Sequence, residues 1–323
     1  MEDKHKIIID TDPGIDDAMA IHYAFADPRI KVLGLTSVFG NVYTEQATRN
    51  ALFLAEQANY KLDVAEGAKK PIKQNLNHPS FHVHGEEGFG SLSAQTSKKV
   101  KLNQKAKNFI SQTCRKYPGE VVICPIGPLT NIAEVLKSDP EITKYVKKII
   151  IMGGALKCEG NVTEHAEANI WNDPHAADIV FGGNWKIEMI GLDVTRKITS
   201  TSRDFQTLQK NSPEIGGFIK KISDFYINFY KSVTGEKKCL MHDPSVFVAL
   251  TDPSLFKFEE YPLEVVCEGE IIGKTIISEN SQKRFPIKVA LDANFKKVSF
   301  KFFEICARAD KESLNRKKSV LKK

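Results

Sequence analysis

Between residues 7 and 190 the sequence repeatedly sets a short apolar run against a turn and then a stretch with helical spacing. The runs are III at 7–9, KVLGLTSV at 31–38, LDV at 62–64, EVVIC at 120–124, VKKIIIM at 146–152 and KIEMI at 186–190. Runs this short and apolar predict strands buried on both faces. Strand–helix alternation gathers such strands into a mainly parallel sheet with helices on either side. The expected fold is therefore α/β, an open, mainly parallel sheet flanked by helices. Ligands in sheets of this kind bind beyond the carboxyl ends of the strands.

The first of those ends is the most unusual. Ile7-Ile8-Ile9 leads into Asp10, Asp12, Asp16 and Asp17, with Pro13-Gly14 forcing a tight turn between them. Carboxylates this close repel one another unless water or a cation screens them, and oxygen-only ligands on a turn suit calcium or magnesium. A plain alternative is a solvated strand-to-helix turn with Asp16 as the helix cap. An EF-hand is excluded: Ile15 stands where that loop needs glycine and Ile21 where it needs glutamate.

Composition narrows the field further. The net charge of +6 sits largely in the last residues, where Lys311, Arg316, Lys317, Lys318, Lys322 and Lys323 face Glu312 alone. The body is close to neutral, so no nucleic-acid interface is expected, and 311–323 reads as a disordered basic tail on a single domain spanning 1–310. The cysteines at 114, 124, 158, 239, 267 and 306 have no paired or zinc-like spacing, which suits reduced thiols in the cytoplasm. The charged start carries no secretory signal, and no apolar run approaches the ~18 residues of a membrane span. Residues 66–97 form a long polar stretch of the kind that usually serves a site. After a more helical stretch from Asp204 to about Gly235, strands are expected in GKTIIS and IKVALD and a last helix near 298–307.

The run Asp10 to Asp17, D-x-D-P-G-x-D-D, resembles the amino-terminal fingerprint of the inosine–uridine-preferring nucleoside hydrolase family, the nucleoside N-ribohydrolases. Later stretches resemble the same family in order and spacing: Val83-His84-Gly85-Glu86-Glu87-Gly88, Gly127-Pro128-Leu129-Thr130-Asn131-Ile132-Ala133, Ile151-Met152-Gly153-Gly154, Gly160-Asn161-Val162-Thr163, Glu167-Ala168-Asn169-Ile170 with Asp173-Pro174, and His242-Asp243-Pro244. The resemblance implies hydrolysis of ribonucleosides to ribose and free base, in a homodimer or homotetramer. It implies a calcium ion (Ca2+) held by Asp12, Asp17, Asp243 and the Thr130 carbonyl. Asp12 would be the general base and His242 the acid that assists the departing base, a task suited to an unperturbed histidine pKa of about 6.5. The ribose 5′-hydroxyl would fall to Asn161 and Glu167, the 2′-hydroxyl to Asn169 and the 3′-hydroxyl to Asp16. Asn41, His84, Met152, Tyr226 and Tyr230 complete the implied substrate contacts. Between Glu167 and Asn169 the family commonly has Phe; here it is Ala168, which bears on base preference.

Two rival readings can be weighed from the residues. A haloacid-dehalogenase-type phosphatase also begins D-x-D after a strand, but it needs Thr or Val where Gly14 stands and a downstream Gly-Asp pair that the sequence lacks. A non-catalytic ribose-binding protein would have lost an acid or a metal ligand, and none is lost. Phosphorolysis is disfavoured, since no phosphate-cradling glycine loop or arginine cluster accompanies the motifs.

Overall fold

The computed structural model describes residues 4–280, 282 and 284–321. Its first half alternates β1 (His5–Thr11), α1 (Ile15–Ala26), β2 (Ile30–Ser37), α2 (Thr44–Gln57), β3 (Asp63–Glu66), α3 (Phe81–His84), α4 (Ala106–Lys116), β4 (Val121–Pro125), α5 (Thr130–Ser138) and β5 (Val146–Met152). There follow α6 (Ala168–Asn172), α7 (Pro174–Phe181), β6 (Ile187–Ile190), α8 (Leu192–Thr195), β7 (Thr199–Ser200), α9 (Ser202–Asn211), α10 (Ile215–Thr234), β8 (Cys239–Leu240) and α11 (Pro244–Thr251). The last elements are β9 (Phe256–Val265), β10 (Thr275–Ile277), β11 (Pro286–Ala293), α12 (Phe295–Cys306) and α13 (Ala309–Leu321).

Nine strands form one sheet in the order β10-β9-β11-β6-β5-β4-β1-β2-β3. Pairing is parallel from β11 through β3 and antiparallel where β9 joins β11 and β10. In β1, Ile7 and Ile9 enter one core and Ile8 the other, all three fully buried. That period-two alternation between two apolar layers is why the run had to be a central strand. β1 pairs with both β2 and β4, so the chain leaves β1 in one direction and later returns on its other side. A crevice opens where the order reverses, beyond the carboxyl ends of β1 and β4.

The last third adds detail in two places and corrects one expectation. The helical stretch expected over 204–235 is made of α9 and α10, separated at Pro213, whose missing N–H and ring end α9. β9 was not foreseen, because Glu259 and Glu260 stand side by side in its middle and break the alternation that marks a strand. The tail expected to be disordered is helical through Leu321, with Lys322 and Lys323 outside the described residues. Arg316 anchors it: its guanidinium donates to the carbonyls of Ala58 (3.0 Å) and Phe25 (2.8 Å) and lies 5.0 Å over the Tyr60 ring. Those carbonyls end α2 and α1, neither of which has a basic residue in its last turn, so the cation meets two negative helix ends at once.

His22 of α1 is wholly buried between Phe25 and Phe218, with Nε2 2.8 Å from Gln57 Oε1 and Nδ1 unpartnered. Burial pushes its pKa down to about 4. The folded state therefore excludes a proton that the unfolded chain takes up near pH 6.5, so stability is full above that pH and falls towards pH 4. Between pH 7 and 4.5 the wild type is expected to lose about 2–3 kcal/mol more than His22→Leu in urea unfolding. Equal losses in the two proteins would contradict this.

Candidate active site

The end of β1, the turn after it and the start of α1 carry four acids, and all four are buried: Asp10, Asp12, Asp16 and Asp17. Asp10 faces back into the protein, taking hydrogen bonds from Thr36 Oγ1 and Asn131 Nδ2 (2.7 Å). Asp17 is fixed by Thr11 Oγ1 (2.6 Å), Gly14 N–H (3.1 Å) and Asn41 Nδ2 (2.9 Å). Asp12 Oδ2 accepts from Asn41 N–H at 2.6 Å, while its Oδ1 is buried with no partner. Two glycines make room for that carboxylate. A Cβ on Gly40 would lie 2.1 Å from Asp12 Oδ2, and one on Gly127 2.5 Å from Oδ1. Gly40 also holds φ +151°, which a larger residue would resist.

Asp243, just before α11, completes the cluster. Asp16, Asp17 and Asp243 each bring an oxygen within 4.8 Å of the other two. Asp12 stands outside that set, but its charge is felt by Asp243 and it feels Asp17 and Asp16. Burial first, and then mutual repulsion, lift Asp12 and Asp243 well above the usual carboxylate range and Asp16 to about 8. The ion pairs of the described residues bring no Lys or Arg to any of them. Leaving several buried carboxylates without counter-charge costs several kcal/mol per ion, so the arrangement fits a divalent cation with oxygen ligands. The orphaned Asp12 Oδ1 is the clearest single mark of it.

Above the cluster lies a cavity of about 420 Å3. Asp16 and Asp243 reach it from below, and Met152, Asn161, Glu167 and Asn169 line one wall. Glu167 caps α6, its carboxylate accepting from the N–H groups of Gly154, Asn169 and Ile170 at 2.9–3.1 Å. Asn169 Nδ2 donates to the carbonyls of Ile126 (3.0 Å) and Met152 (3.1 Å), which leaves its oxygen for a ligand. Asn161 is the reverse: its oxygen accepts from Ala168 N–H (3.0 Å), leaving its amide NH2 towards the cavity.

The opposite wall is a chain of hydrogen bonds. Tyr226 Oη stands 3.3 Å from Asp16 Oδ2 and 3.3 Å from Tyr230 Oη; Tyr230 Oη lies 3.0 Å from His242 Nε2, and His242 Nδ1 2.8 Å from Thr195 Oγ1. Burial, then Arg196, push the His242 pKa down to about 3, so its ring is uncharged at neutral pH. This corrects the expectation of an unperturbed histidine. His84 is also held near 3 by burial. Its Nδ1 accepts from Ile15 N–H (3.1 Å), so the ring proton sits on Nε2. The 3.8 Å approach of Asp16 Oδ1 to that same Nδ1 is consequently no ion pair.

Thr130 is a second correction. It is the first residue of α5, where its carbonyl joins the helix ladder, and its hydroxyl donates to Asp173 Oδ2 at 2.7 Å. It lines a separate open groove, while the carbonyl that reaches the crevice is that of Ile126.

The sequence profile of the family described as inosine-uridine preferring nucleoside hydrolase matches residues 7–299. The chain belongs to this family. It is 40% identical to the probable uridine nucleosidase 1 of Oryza sativa subsp. japonica over 87% of each chain. Its fold superposes on that of a plant nucleoside hydrolase with a TM-score of 0.91 at 34% identity, covering 94% of this chain and 99% of the other. A purine-preferring ribonucleoside hydrolase from Gardnerella vaginalis gives a TM-score of 0.90 at 32% identity, over 95% and 99%. The phosphatase and non-catalytic readings are thereby set aside. In this nucleoside hydrolase fold the cavity mouth adds His78, His82, Trp171 and Phe229, which no motif marked. His82 meets Phe229 edge-on at 5.8 Å, a contact that only the packing of α3 on α10 creates. Ile126 could have been found, since it directly follows the strand end at Pro125.

Proposed function

We propose that this nucleoside hydrolase cleaves the N-glycosidic bond of ribonucleosides with the help of a bound calcium ion, releasing ribose and free base. One observation carries the reading above all: a buried carboxylate cluster without counter-charge forms the floor of a cavity whose wall carries the amides of Asn161 and Asn169 beside the Glu167 carboxylate. Polyhydroxy sugars need that mixture, because each hydroxyl both donates and accepts. Asp12, Asp17, Asp243 and the Ile126 carbonyl would hold the ion, since calcium takes six to eight oxygens and leaves places for water and sugar hydroxyls. Once bound, it would supply Lewis acidity to water and to the hydroxyls it orients.

Asp12 takes the proton of the water that attacks C1′, using the oxygen that Asn41 leaves free. Asp16, which faces the cavity, accepts from the 3′-hydroxyl, and Asn169 accepts from the 2′-hydroxyl through its free oxygen. Asn161 and Glu167 meet the 5′-hydroxyl. Asn41 serves from beneath by bracing Asp12 and Asp17, and Met152 by bracing Asn169. Positive charge developing at C1′ in an oxocarbenium-like transition state faces this acidic floor. His84 offers its Nε2–H as a donor. The departing base takes its proton through Tyr230: the His242 ring, uncharged at rest, picks up a proton from water, passes its Nε2 proton through Tyr230 to the base, and returns to its uncharged form.

The test compares leaving groups. His242→Ala is expected to slow uridine or inosine cleavage by about 10²–10⁴-fold. A nitrophenyl riboside leaves as a stable anion and needs no proton, so the variant should cleave it at nearly the wild-type rate. Equal losses on both substrates would remove His242 from the proton path. A ribose-release assay over purine and pyrimidine nucleosides settles the base preference that Ala168 leaves open.

A further inference from the structure

The loop that carries Asn161 is closed mostly upon itself. Gly160 N–H donates to Glu164 O (2.8 Å), Asn161 N–H to Ala166 O (3.1 Å), and Ala166 N–H to Thr163 Oγ1 (3.0 Å). Its residues 161–164 are exposed. Its ties to the body are a bridge between Ala166 and Lys274 at one end, the Ala168 N–H on the Asn161 side-chain oxygen (3.0 Å), and the Arg196 guanidinium on the Gly160 carbonyl at the other. Only glycine fits at 160, because a Cβ would lie 2.3 Å from Ala166 O and 2.4 Å from Thr163 O. The bond from Arg196 is charge-assisted, and it fixes the residue immediately before Asn161.

Arg196 has a second connection. It follows Thr195, whose hydroxyl pairs with His242 Nδ1, so the end of α8 touches both walls of the cavity. One short helix thus spaces the loop of Asn161 from the chain of hydrogen bonds that ends at His242.

We propose that Arg196 is a positioning residue for the ribose 5′-hydroxyl: by holding Gly160 it sets the distance from the Asn161 amide to the sugar. The proposal rests on the nucleoside hydrolase reading above, and it assigns Arg196 no contact with substrate. Hydrogen bonds fall off steeply with distance and angle, so a loosened loop loses the Asn161 contact while leaving the C1′ chemistry intact.

The experiment is a substrate cycle. Steady-state kinetics of uridine and 5′-deoxyuridine, or of inosine and 5′-deoxyinosine if purines are preferred, are compared in wild type, Asn161→Ala, Arg196→Met, Arg196→Lys and the double variant Asn161→Ala/Arg196→Met. The wild type is expected to favour the 5′-hydroxylated substrate. Asn161→Ala and Arg196→Met should each reduce that preference by about 10-fold, through KM for the hydroxylated substrate. The double variant should be no worse than either single one, because both remove the same contact. Arg196→Lys keeps a charged donor and should retain most of the preference; it also serves if the Met variant folds poorly by thermal melt. Equal losses on hydroxylated and deoxy substrates, or additive losses in the double variant, would overturn the positioning role. A wild type that cleaves no riboside at all would instead overturn the hydrolase reading.

Discussion

Asp12→Asn is expected to lower ribonucleoside turnover by at least about 10³-fold, since in the proposed mechanism it removes a metal ligand and the proton acceptor for water together. The same change should not weaken the fold. Asp12 is buried beside Asp17 and Asp16, and its ionised form is disfavoured first by burial and then by their charges. An uncharged amide of the same shape relieves that repulsion. In chelator, the variant should melt at or above the wild-type temperature while remaining inactive. Turnover within ten-fold of wild type would remove Asp12 from the chemistry, and a lower melting temperature in chelator would contradict the electrostatic account.

Removing the metal should have an effect as large. Exhaustive chelation is expected to abolish turnover, and calcium should restore it with one ion per chain. Stability should move with it, because an ion that binds only the folded state contributes about 2.7 kcal/mol at 100 times its dissociation constant. The pH dependence carries a definite sign. Asp16, raised to about 8 by burial and by Asp17, binds its proton more tightly in the folded state. Its contribution is therefore full below the unfolded carboxylate pKa of about 4 and is lost as pH rises through about 8. Metal-free protein should be more stable at pH 6 than at pH 8.5, and calcium should remove that slope. Full turnover without metal, or a metal-free protein that gains stability over that interval, would contradict the cation reading.

Much of this site was legible because its residues sit where the backbone leaves little choice. A wholly apolar run such as Ile7-Ile8-Ile9 can only be a central strand, and the acids that follow it must lie at a carboxyl end. The fingerprint then ordered the remaining pieces along the chain. What could not be read was register inside a tight turn. Between Pro125 and Asn131, the strand end points to the Ile126 carbonyl, but the start of α5, which takes the Thr130 carbonyl into the helix, cannot be read from the sequence. Charge was equally hidden: His242 looks like any histidine until its burial shows that it rests unprotonated. The basic carboxyl end misled for the converse reason. Its composition is that of a frayed tail, yet Arg316 finds the ends of two helices far away in sequence.

Water, not phosphate, is the group expected to break a ribonucleoside at C1′. The direct measurement is quantification of base and sugar products from uridine and inosine with calcium present, in phosphate-free buffer and again in phosphate. Equal amounts of free base and free ribose are expected from at least one substrate, at a rate unchanged by phosphate. Intact nucleosides in both buffers, or sugar phosphate formed only when phosphate is added, would contradict it.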